Sequence, residues 1–169
     1  MTLLIRNFCV GDEADFSRVF QSSIRELASA DYTNEQIEVW AGASLDSERW
    51  VKRIQELKPF VVEIDGAIVA YADLQPDGYI DHFFVRGTYS RQGIGSLLMS
   101  HIVENAIAKG ITALTADVSM NAQNFFARFA FVIVEQRSRM MQGIVLPNVL
   151  MQCDISSKNY SDRNGKLKF

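Results

Sequence analysis

The chain is poor in the residues that mark disulfide-rich, membrane or nucleic-acid-binding proteins. Its 169 residues include only two cysteines, Cys9 and Cys153, and three prolines. This usage favours free, buried thiols in a reducing compartment over a disulfide framework. Apolar runs fall short of the ~18 residues that a membrane-spanning helix needs. The net charge of -3 offers no basic excess for nucleic acid. With no signal-peptide pattern at Met1 either, we expect a cytoplasmic protein with no membrane or nucleic-acid partner.

The spacing of apolar residues predicts a first strand over 3–8 and helices over about 12–27, 31–40 and 46–57. Thr33 and Gln36 have the spacing of a capping box at the second helix. The period then becomes that of strands over 59–64, 67–74 and 79–85, and Asp65-Gly66 predicts a hairpin turn between the first two. These segments give the first half of the chain a helical region followed by hairpins.

In the second half, helices alternate with strands. The pattern predicts a helix over 93–109, a strand over 112–118, a short helix over 121–129, and strands over 131–137 and 149–153. The last two are separated by a predicted loop containing Gly143 and Pro147. We therefore expect an α/β (α+β) fold with a mixed, mostly antiparallel central sheet of six to seven strands flanked by helices. Residues 1–155 are predicted to form a single domain, and residues 156–169 a flexible polar tail.

The most informative stretch is FFVRGTYSRQGIGSLLM, residues 83–99, which passes from a strand through a polar turn and two glycines into a helix. The unpaired backbone N–H groups and the dipole of a helix start attract an anion such as a pyrophosphate. Side chains at Gly93 and Gly95 would hold a phosphate away from the backbone. The loop lacks the lysine of a Walker A motif, and Leu98 stands where a dinucleotide fingerprint needs a third glycine. The pattern predicts a phosphate-bearing ligand without identifying it.

Two segments together resemble the GNAT superfamily of N-acetyltransferases. The loop VRGTYSRQGIGSLL, residues 85–98, is similar to the family's acyl-CoA loop, and VSMNAQNFFARFAF, residues 118–131, to its N-x-x-A-x-x-x-Y-x-x-x-G-F segment. The order of elements agrees over roughly residues 3–154. YTNEQ, residues 32–36, and Phe125-Phe126 are similar to an uncharacterised bacterial subgroup. The resemblance implies a GNAT-like fold and transfer of an acetyl group from acetyl-CoA, without a metal, to a small-molecule or peptide amine by direct attack. A homodimer is possible.

The resemblance also implies which residues bind CoA, whose pyrophosphate would lie on the glycine loop. They are Phe83, Phe84, Val85, Ser90, Arg91, Gln92, Gly93, Ile94, Gly95, Ser96, Ser119, Asn124, Phe126 and Arg128. Arg91 or Arg128 would reach the 3′-phosphate, although solvated surface arginines look the same in a sequence. Ser90, Ser119 and Ala130 depart from the family's usual residues.

Phe126 is the largest departure, because many members carry there a tyrosine that protonates the leaving thiolate. Phenylalanine has no proton to donate. Water or another group would have to supply it, or the thiolate, with a thiol pKa near ~8.5, leaves unaided. The alternative is a non-catalytic acyl-CoA-binding regulatory module.

The family often carries a carboxylate or histidine base on the strand before the loop. Alternation places Tyr79, Asp81, Phe83 and Val85 on one face of that strand, and Ile80, His82 and Phe84 on the other. Asp81 is the favoured base, through a water molecule, and His82 is the second candidate; a structural hydrogen-bonding role is equally open for either. The backbone N–H of Val85 is the expected oxyanion donor, and an opening there would let pantetheine pair with the strand.

The acceptor amine is expected against the helical region, which varies most among family members. Tyr32, Gln36 and Trp40 recur at helical spacing, and with Arg25 and Tyr79 they form the predicted substrate-binding set. Aromatic residues at this spacing are equally typical of a core-facing stripe. The identity of the amine does not follow from these residues.

Overall fold

The computed structural model describes residues 1–156, so the predicted tail lies outside the described residues except for Ser156. The described chain contains five α-helices and eight β-strands in mixed order. In order they are β1 (Leu3–Asn7), α1 (Glu13–Leu27), α2 (Asn34–Ala41), α3 (Ser47–Leu57), β2 (Phe60–Ile64), β3 (Ala67–Ala72), β4 (Tyr79–Ile80), β5 (Phe83–Val85), α4 (Ile94–Ala108), β6 (Ala113–Ser119), α5 (Gln123–Arg128), β7 (Val132–Met141) and β8 (Ile144–Asp154).

The strands form two four-stranded sheets, in the orders β1-β2-β3-β5 and β4-β6-β8-β7. All neighbouring pairs are antiparallel except β4 with β6. The mixed, mostly antiparallel fold predicted from the sequence is confirmed, although the strands number eight rather than six to seven. Within residues 1–156 no helix combines the length and apolarity that crossing a bilayer requires.

Helices cover both faces of the first sheet, and each face has its own core. Val62, Ala70 and Ala72 face α4 and join a cluster that continues onto the second sheet. Val61 and Tyr71 face the other way and pack with the buried residues of α1, α2 and α3. Because both faces of β2 and β3 are buried, these strands are nearly continuous apolar runs.

The helix ends follow the local sequence signals. Thr33 and Gln36 make the expected capping box on α2, and Asp46 caps α3 by accepting the N–H of Arg49. Gly93 precedes α4 in the left-handed region, with φ at 82°. Each of these ends fixes a helix that borders the site described below.

Three expectations are wrong. The predicted strand 79–85 is two strands, β4 and β5, which belong to different sheets. The predicted loop before residue 149 is instead a hairpin whose turn residues Gln142 and Gly143 both have positive φ, the backbone twist that suits a tight turn. Pro147 lies within β8, at a position that β6 no longer pairs with, because the β6–β8 ladder ends at Asn148. The N–H group that proline lacks is therefore not needed for pairing with β6. Cys9 is exposed, whereas Cys153 is buried as expected.

Candidate active site

The chain changes sheets at Asp81 and His82, and the carboxylate of Asp73 holds this break. Asp73 Oδ1 accepts the backbone N–H groups of Asp81 at 3.0 Å and of His82 at 2.6 Å. The N–H of Asp73 donates to the carbonyl of His82 at 3.1 Å. Asp73 is fully buried, and burial raises its carboxyl pKa to about 6. The Asp73 carboxylate thus accepts the N–H groups of Asp81 and His82, which have no neighbouring strand to pair with within residues 1–156.

The break also resets the alternation of side chains, so the predicted faces are wrong. Ile80, Phe83 and Val85 all lie against the core on the α4 side, whereas Phe84 packs with the helices α1–α3. Ile80 was expected on the face of Phe84. The two irregular residues between the strands shift the period, and they bring the side chains of Asp81 and His82 into one cavity.

Beyond the break, β5 and β6 are not paired, which leaves strand N–H groups without a protein partner. The second sheet joins β4 to β6 only at Tyr79–Thr115 and Ile80–Ala116. Asp73 donates to the carbonyl of His82, and Arg86 donates to Val69 on the same side of the chain. By the alternation of an antiparallel ladder, the N–H groups of Phe83 and Val85 point away from β3. They therefore face the opening between β5 and β6.

His82 is held neutral inside an aromatic cage. Its ring lies 5.4–5.9 Å from the ring centroids of Phe20, Trp50, Tyr71 and Phe84. Burial lowers its pKa to about 4, against the opposing charge of Asp81. The hydroxyl of Tyr71 lies 3.1 Å from His82 Nδ1. Since that buried hydroxyl has no other acceptor within residues 1–156, Nδ1 accepts its proton and the other ring nitrogen, Nε2, carries the hydrogen.

Asp81 lies beside this ring and is also paired with a cation. Its Oδ2 is 3.7 Å from His82 Nε2 and accepts from the Arg53 guanidinium of α3. Its second oxygen, Oδ1, has no hydrogen-bond partner in the described part of the chain. One oxygen is therefore fixed, and the other remains available to a water molecule or an amine.

A cavity of about 1300 Å³ connects this carboxylate to both halves of the molecule. On one side its wall includes Phe83, Ser119 and Phe126; on the other it includes Tyr32 and Trp40. Phe126 is almost fully buried, and its ring packs against Phe83, Phe125 and Phe131. The predicted thiol end and the predicted acceptor end thus share one space.

The residues predicted to bind the acceptor do not all lie together. Tyr32, Trp40 and Tyr79 line the cavity. Arg25 lies on exposed α1 surface, where it pairs with Glu38 at 3.2 Å. Gln36 Nε2 donates to the carbonyl of Val145 at 2.9 Å. Tyr32 has a structural role as well, because its hydroxyl donates to the Pro147 carbonyl at 2.6 Å and accepts the Met120 N–H at 3.0 Å.

At the other end, the glycine loop presents a row of backbone donors. The N–H groups of residues 91–96 have no hydrogen-bond partner within residues 1–156, and Leu97 N–H is the first to bond back, to Gly93. Gly93 is surrounded by open space, so its φ of 82° is what requires glycine. A Cβ on Gly95 would lie 3.1 Å from the Phe125 ring. Gly95 thus allows the helix to pack closely, a reason that the loop pattern alone did not reveal.

The remaining predicted CoA residues border this loop. Ser90 follows a single 3-10 turn over Gly87–Tyr89, and Gln92 donates to the Thr88 carbonyl at 3.0 Å. Asn124 and Arg128 are exposed on α5, and the Arg128 guanidinium lies 5.6 Å from the centroid of the Phe125 ring. Between residues 1 and 156, no cluster of three or more His, Cys, Asp or Glu has the arrangement of a metal site.

Sequence reasoning missed Asp73, which organises the break. It was counted as part of a strand over 67–74 and given no role of its own. The available signal was an acidic residue following the near-continuous apolar run of β3, since a buried carboxylate needs several donors.

The fold, the opening between β5 and β6 and the glycine loop at residues 91–96 together define an acyl-CoA-dependent acetyltransferase architecture. Comparison with known proteins supports this class. Residues 28–154 match the model of the acetyltransferase (GNAT) domain, and the chain belongs to this family. It is 30% identical over 148 residues to the uncharacterized N-acetyltransferase YafP of Escherichia coli (strain K12), covering 88% of this chain and 93% of that one.

Solved structures show the same architecture. A GCN5-related N-acetyltransferase from Rhodopseudomonas palustris is 30% identical and superposes with a TM-score of 0.87, covering 92% of this chain and 97% of that one. PaiA N-acetyltransferase from Thermoplasma acidophilum, solved in complex with coenzyme A, is 16% identical with a TM-score of 0.69 over 91% and 99% of the two chains. YncA from Salmonella typhimurium, solved with acetyl-CoA, is 18% identical with a TM-score of 0.64 over 93% and 96%. The last two show the fold alone.

Proposed function

We propose that the protein is an N-acetyltransferase that moves the acetyl group of acetyl-CoA to a primary amine by direct attack. The observation that carries this proposal is the opening between β5 and β6, which has unpaired N–H groups on its β5 edge and Asp81 beside it. Membership of the GNAT family supports it. PaiA and YncA, with coenzyme A and acetyl-CoA respectively, support the same cosubstrate.

The backbone supplies most of the cosubstrate site. The N–H groups of residues 91–96 and the dipole of α4 would bind the pyrophosphate. The free N–H groups of Phe83 and Val85 would pair with an extended pantetheine arm as a strand edge pairs with a peptide. Ser119, Asn124 and Arg128 lie around that path. None of these backbone contacts depends on the family's usual residues at 90 and 119.

The reaction forms a C–N bond and breaks the thioester C–S bond. An alkyl ammonium, with a pKa of about 10.4, must first lose a proton. Asp81 Oδ1, directly or through a water molecule, is the proposed base, since neutral His82 carries its proton on the ring nitrogen that faces Asp81. The N–H of Val85 would stabilise the negative charge that develops on the carbonyl oxygen. The thiolate would take its proton from water, because Phe126 has none to give.

Phe126 favours a second candidate, an acyl-CoA-binding module without catalysis. Both functions predict that CoA binds. Release of free thiol from acetyl-CoA separates them when it is measured over a panel of amines, amino sugars and peptides. Thiol release that requires an amine supports the transferase, whereas CoA binding with no release for any acceptor supports the module.

Replacement of the proposed base tests the assignment. We expect Asp81→Asn to lower kcat by about 10²-fold or more, the usual range for loss of a general base, with CoA affinity unchanged in calorimetry. Arg53→Gln removes the ion pair and keeps the carboxylate, so it separates proton transfer from the loss of that pair and should retain most of the activity. Glu48→Gln, on the first turn of α3 outside the cavity lining, is the matched control. Equal kcat in Asp81→Asn and the control would exclude Asp81 as the base. The homodimer and the cytoplasmic location remain predictions.

A further inference from the structure

The carboxylates that line the cavity all have hydrogen-bond or ion-pair partners within residues 1–156, whereas some of the lining cations have none. Every lining carboxylate has a partner: Asp117 accepts the Tyr79 hydroxyl and the Arg137 guanidinium, both at 3.0 Å. Asp81 and Glu56 both pair with Arg53. Asp46 accepts the N–H of Arg49 at 3.2 Å as the cap of α3. Each lining carboxylate thus has at least one hydrogen-bond or ion-pair partner within residues 1–156.

Three lining cations, in contrast, have side chains without any hydrogen bond or ion pair within residues 1–156. They are Arg49 and Lys52 on α3 and Arg139 on β7. Exposed cations near a concave apolar wall produce a positive potential that is stronger than the same charges would produce on a convex surface. The cavity wall beside Asp81 therefore carries three cationic side chains that are free to bind an anion.

The fold places these cations on two walls that face the proposed base. Arg49, Lys52 and Arg53 have the i, i+3, i+4 spacing of one helix face, and the contact of Arg53 with Asp81 puts that face at the end of β4. Arg139 lies opposite Leu146 on β8, and both line the cavity. The charges of Arg53 and Arg139 both act to lower the pKa of His82, which agrees with their positions near its ring.

A second, independent feature of the cavity lining is an acceptor without a partner, Asn148 Oδ1. Asn148 is two residue pairs along the ladder from Arg139, and it lies opposite Ser119 on one side and Arg137 on the other. Its side-chain oxygen is buried and has no hydrogen-bond partner. A buried acceptor of this kind is costly unless a donor reaches it. An amine N–H is such a donor.

We propose that the acceptor is an amine that also carries an anionic group, with the anion bound by Arg139, Arg49 and Lys52 and an amine hydrogen donated to Asn148 Oδ1. This rests on the proposed function. Trp40, Phe84 and Leu146 between the two walls would cover an apolar part of the molecule. Carboxylate and phosphate share the chemistry that these cations recognise.

The same cations would also select among amines. They disfavour polyamines, whose further charges would lie next to unpaired arginine and lysine. The anionic group of the proposed acceptor offsets this repulsion for one kind of amine only.

The test uses matched acceptors with acetyl-CoA and thiol release as the readout. Leucine and phenylalanine are compared with leucinamide and phenylalaninamide, O-phosphoethanolamine with ethanolamine, and spermidine is the polycationic probe. The amides have the lower amine pKa, so intrinsic reactivity favours them and a preference for the acids must come from the protein. We expect kcat/KM to be at least about tenfold higher for the anionic member than for the neutral member in one kind of pair. A preference within the amino acid pairs indicates a carboxylate acceptor, and a preference for O-phosphoethanolamine indicates a phosphate.

Variants then assign the preference to residues. Arg139→Gln should raise KM for the anionic acceptor about tenfold and change the neutral one less than about twofold, and Arg139→Lys should restore most of the loss. Asn148→Ala should raise KM for both members of a pair. Arg18→Gln, on exposed α1 surface, is the control. Thermal stability and CoA affinity of each variant show that the fold is retained.

The outcomes are distinguishable. Equal use of the anionic and neutral members in every pair, a preference for spermidine, or an equal effect of Arg139→Gln on both members overturns the anionic acceptor and leaves the transferase intact. Binding of acetyl-CoA with no turnover for any amine overturns the proposed function, and the acceptor inference with it.

Discussion

The two halves of the cavity are built in different ways. The acyl half consists of main-chain groups: the N–H donors of residues 91–96 and of Phe83 and Val85. The acceptor half consists of side chains from α1, α2, α3, β4, β7 and β8. Backbone donors tolerate substitution as long as the local conformation survives, whereas a side-chain site changes with every residue. We therefore expect the acyl half to be the part shared across a family, and the acceptor half to differ from one member to the next.

The sharpest test of the acyl half is a substitution that adds a side chain at Gly95, where the glycine loop packs closely against the Phe125 ring. Gly95→Val places branched carbons against the Phe125 ring, which an added Cβ would already approach to 3.1 Å. Overpacking of this kind typically costs about 1–3 kcal/mol, and we expect CoA affinity to fall roughly 5- to 150-fold as the start of α4 shifts. Phe125→Ala in the same chain should restore part of the affinity in calorimetric titration.

Gly93→Ala is the companion variant to Gly95→Val. The added Cβ would have no atom within 4 Å, so only the φ of 82° is unfavourable for a residue other than glycine. The strain is about 1 kcal/mol. Gly143→Ala in the β7–β8 turn has the same open surroundings and a φ of 78°, so it reports strain without the loop. Equal loss of CoA affinity in Gly93→Ala and Gly143→Ala would contradict a local role for the loop conformation.

The boundary between the two halves can be tested by pH. Asp73 and His82 are buried there, and their protonation changes the stability of the protein in opposite directions as the pH rises. The folded pKa of Asp73, about 6, lies above its ordinary value of 3.8. Its contribution to stability is therefore complete below pH 3.8 and is lost as the pH rises through about 6. The folded pKa of His82, about 4, lies below 6.5. Its contribution is present above pH 6.5 and is lost as the pH falls towards 4.

We therefore expect Asp73→Asn to gain stability relative to the parent as the pH rises from 4 to 7. His82→Gln should gain relative to the parent as the pH falls over the same range. Each change should amount to about 1–3 kcal/mol, measured by urea denaturation at several pH values. Parallel pH profiles for both variants and the parent would show that these groups do not titrate as described.

The side-chain half is tested by removing one hydroxyl. Tyr32→Phe leaves the Pro147 carbonyl and the Met120 N–H without their partner, which typically costs about 1–3 kcal/mol. Because Tyr32 ties the α1–α2 connection to β6 and β8, KM for the acceptor should rise several-fold while CoA affinity stays the same. A loss of CoA affinity with unchanged KM would reverse the assignment of the two halves.

The smallest effects are expected for side chains around the proposed CoA loop that make no hydrogen bond within residues 1–156. Ser90→Ala and Asn124→Ala remove no hydrogen bond within residues 1–156, and the main-chain donors stay in place. We expect CoA affinity to change less than about threefold in calorimetry, in line with the ±0.5 kcal/mol typical of surface substitutions. A tenfold loss in either variant would mean that side chains matter as much here as in the acceptor half.

Elements that depend on local sequence were predictable. The capping box at Thr33, the Asp65-Gly66 turn and the helix following Gly93 all follow from residues within a few positions of each other. The same holds for the row of backbone donors at residues 91–96, because glycines and a helix start specify them without any distant partner. The family resemblance rested on two such local segments, residues 85–98 and 118–131, and the comparisons confirm it.

Features that depend on distant partners were not predictable. The break at Asp81 needs the carboxylate of Asp73, and Arg53 reaches Asp81 from another helix. Arg25 and Gln36 were predicted to line a pocket with Tyr32 and Trp40, but their side chains are engaged elsewhere, with Glu38 and the carbonyl of Val145. Periodicity reports which face of an element a residue occupies and contains no information on what lies opposite.

The separation of β5 from β6 has a consequence for solubility as well as for binding. Unpaired strand edges usually promote aggregation, because any extended segment of another protein can add to them. Here the free edge of β5 faces β6 of the same chain, so a strand of another protein would have to enter between the two to pair with it. Side chains on both faces of such a strand hinder that entry, whereas a slender extended molecule meets no such obstacle. The protein thus has the hydrogen-bonding capacity of a sheet edge without presenting it to its neighbours in a crowded solution.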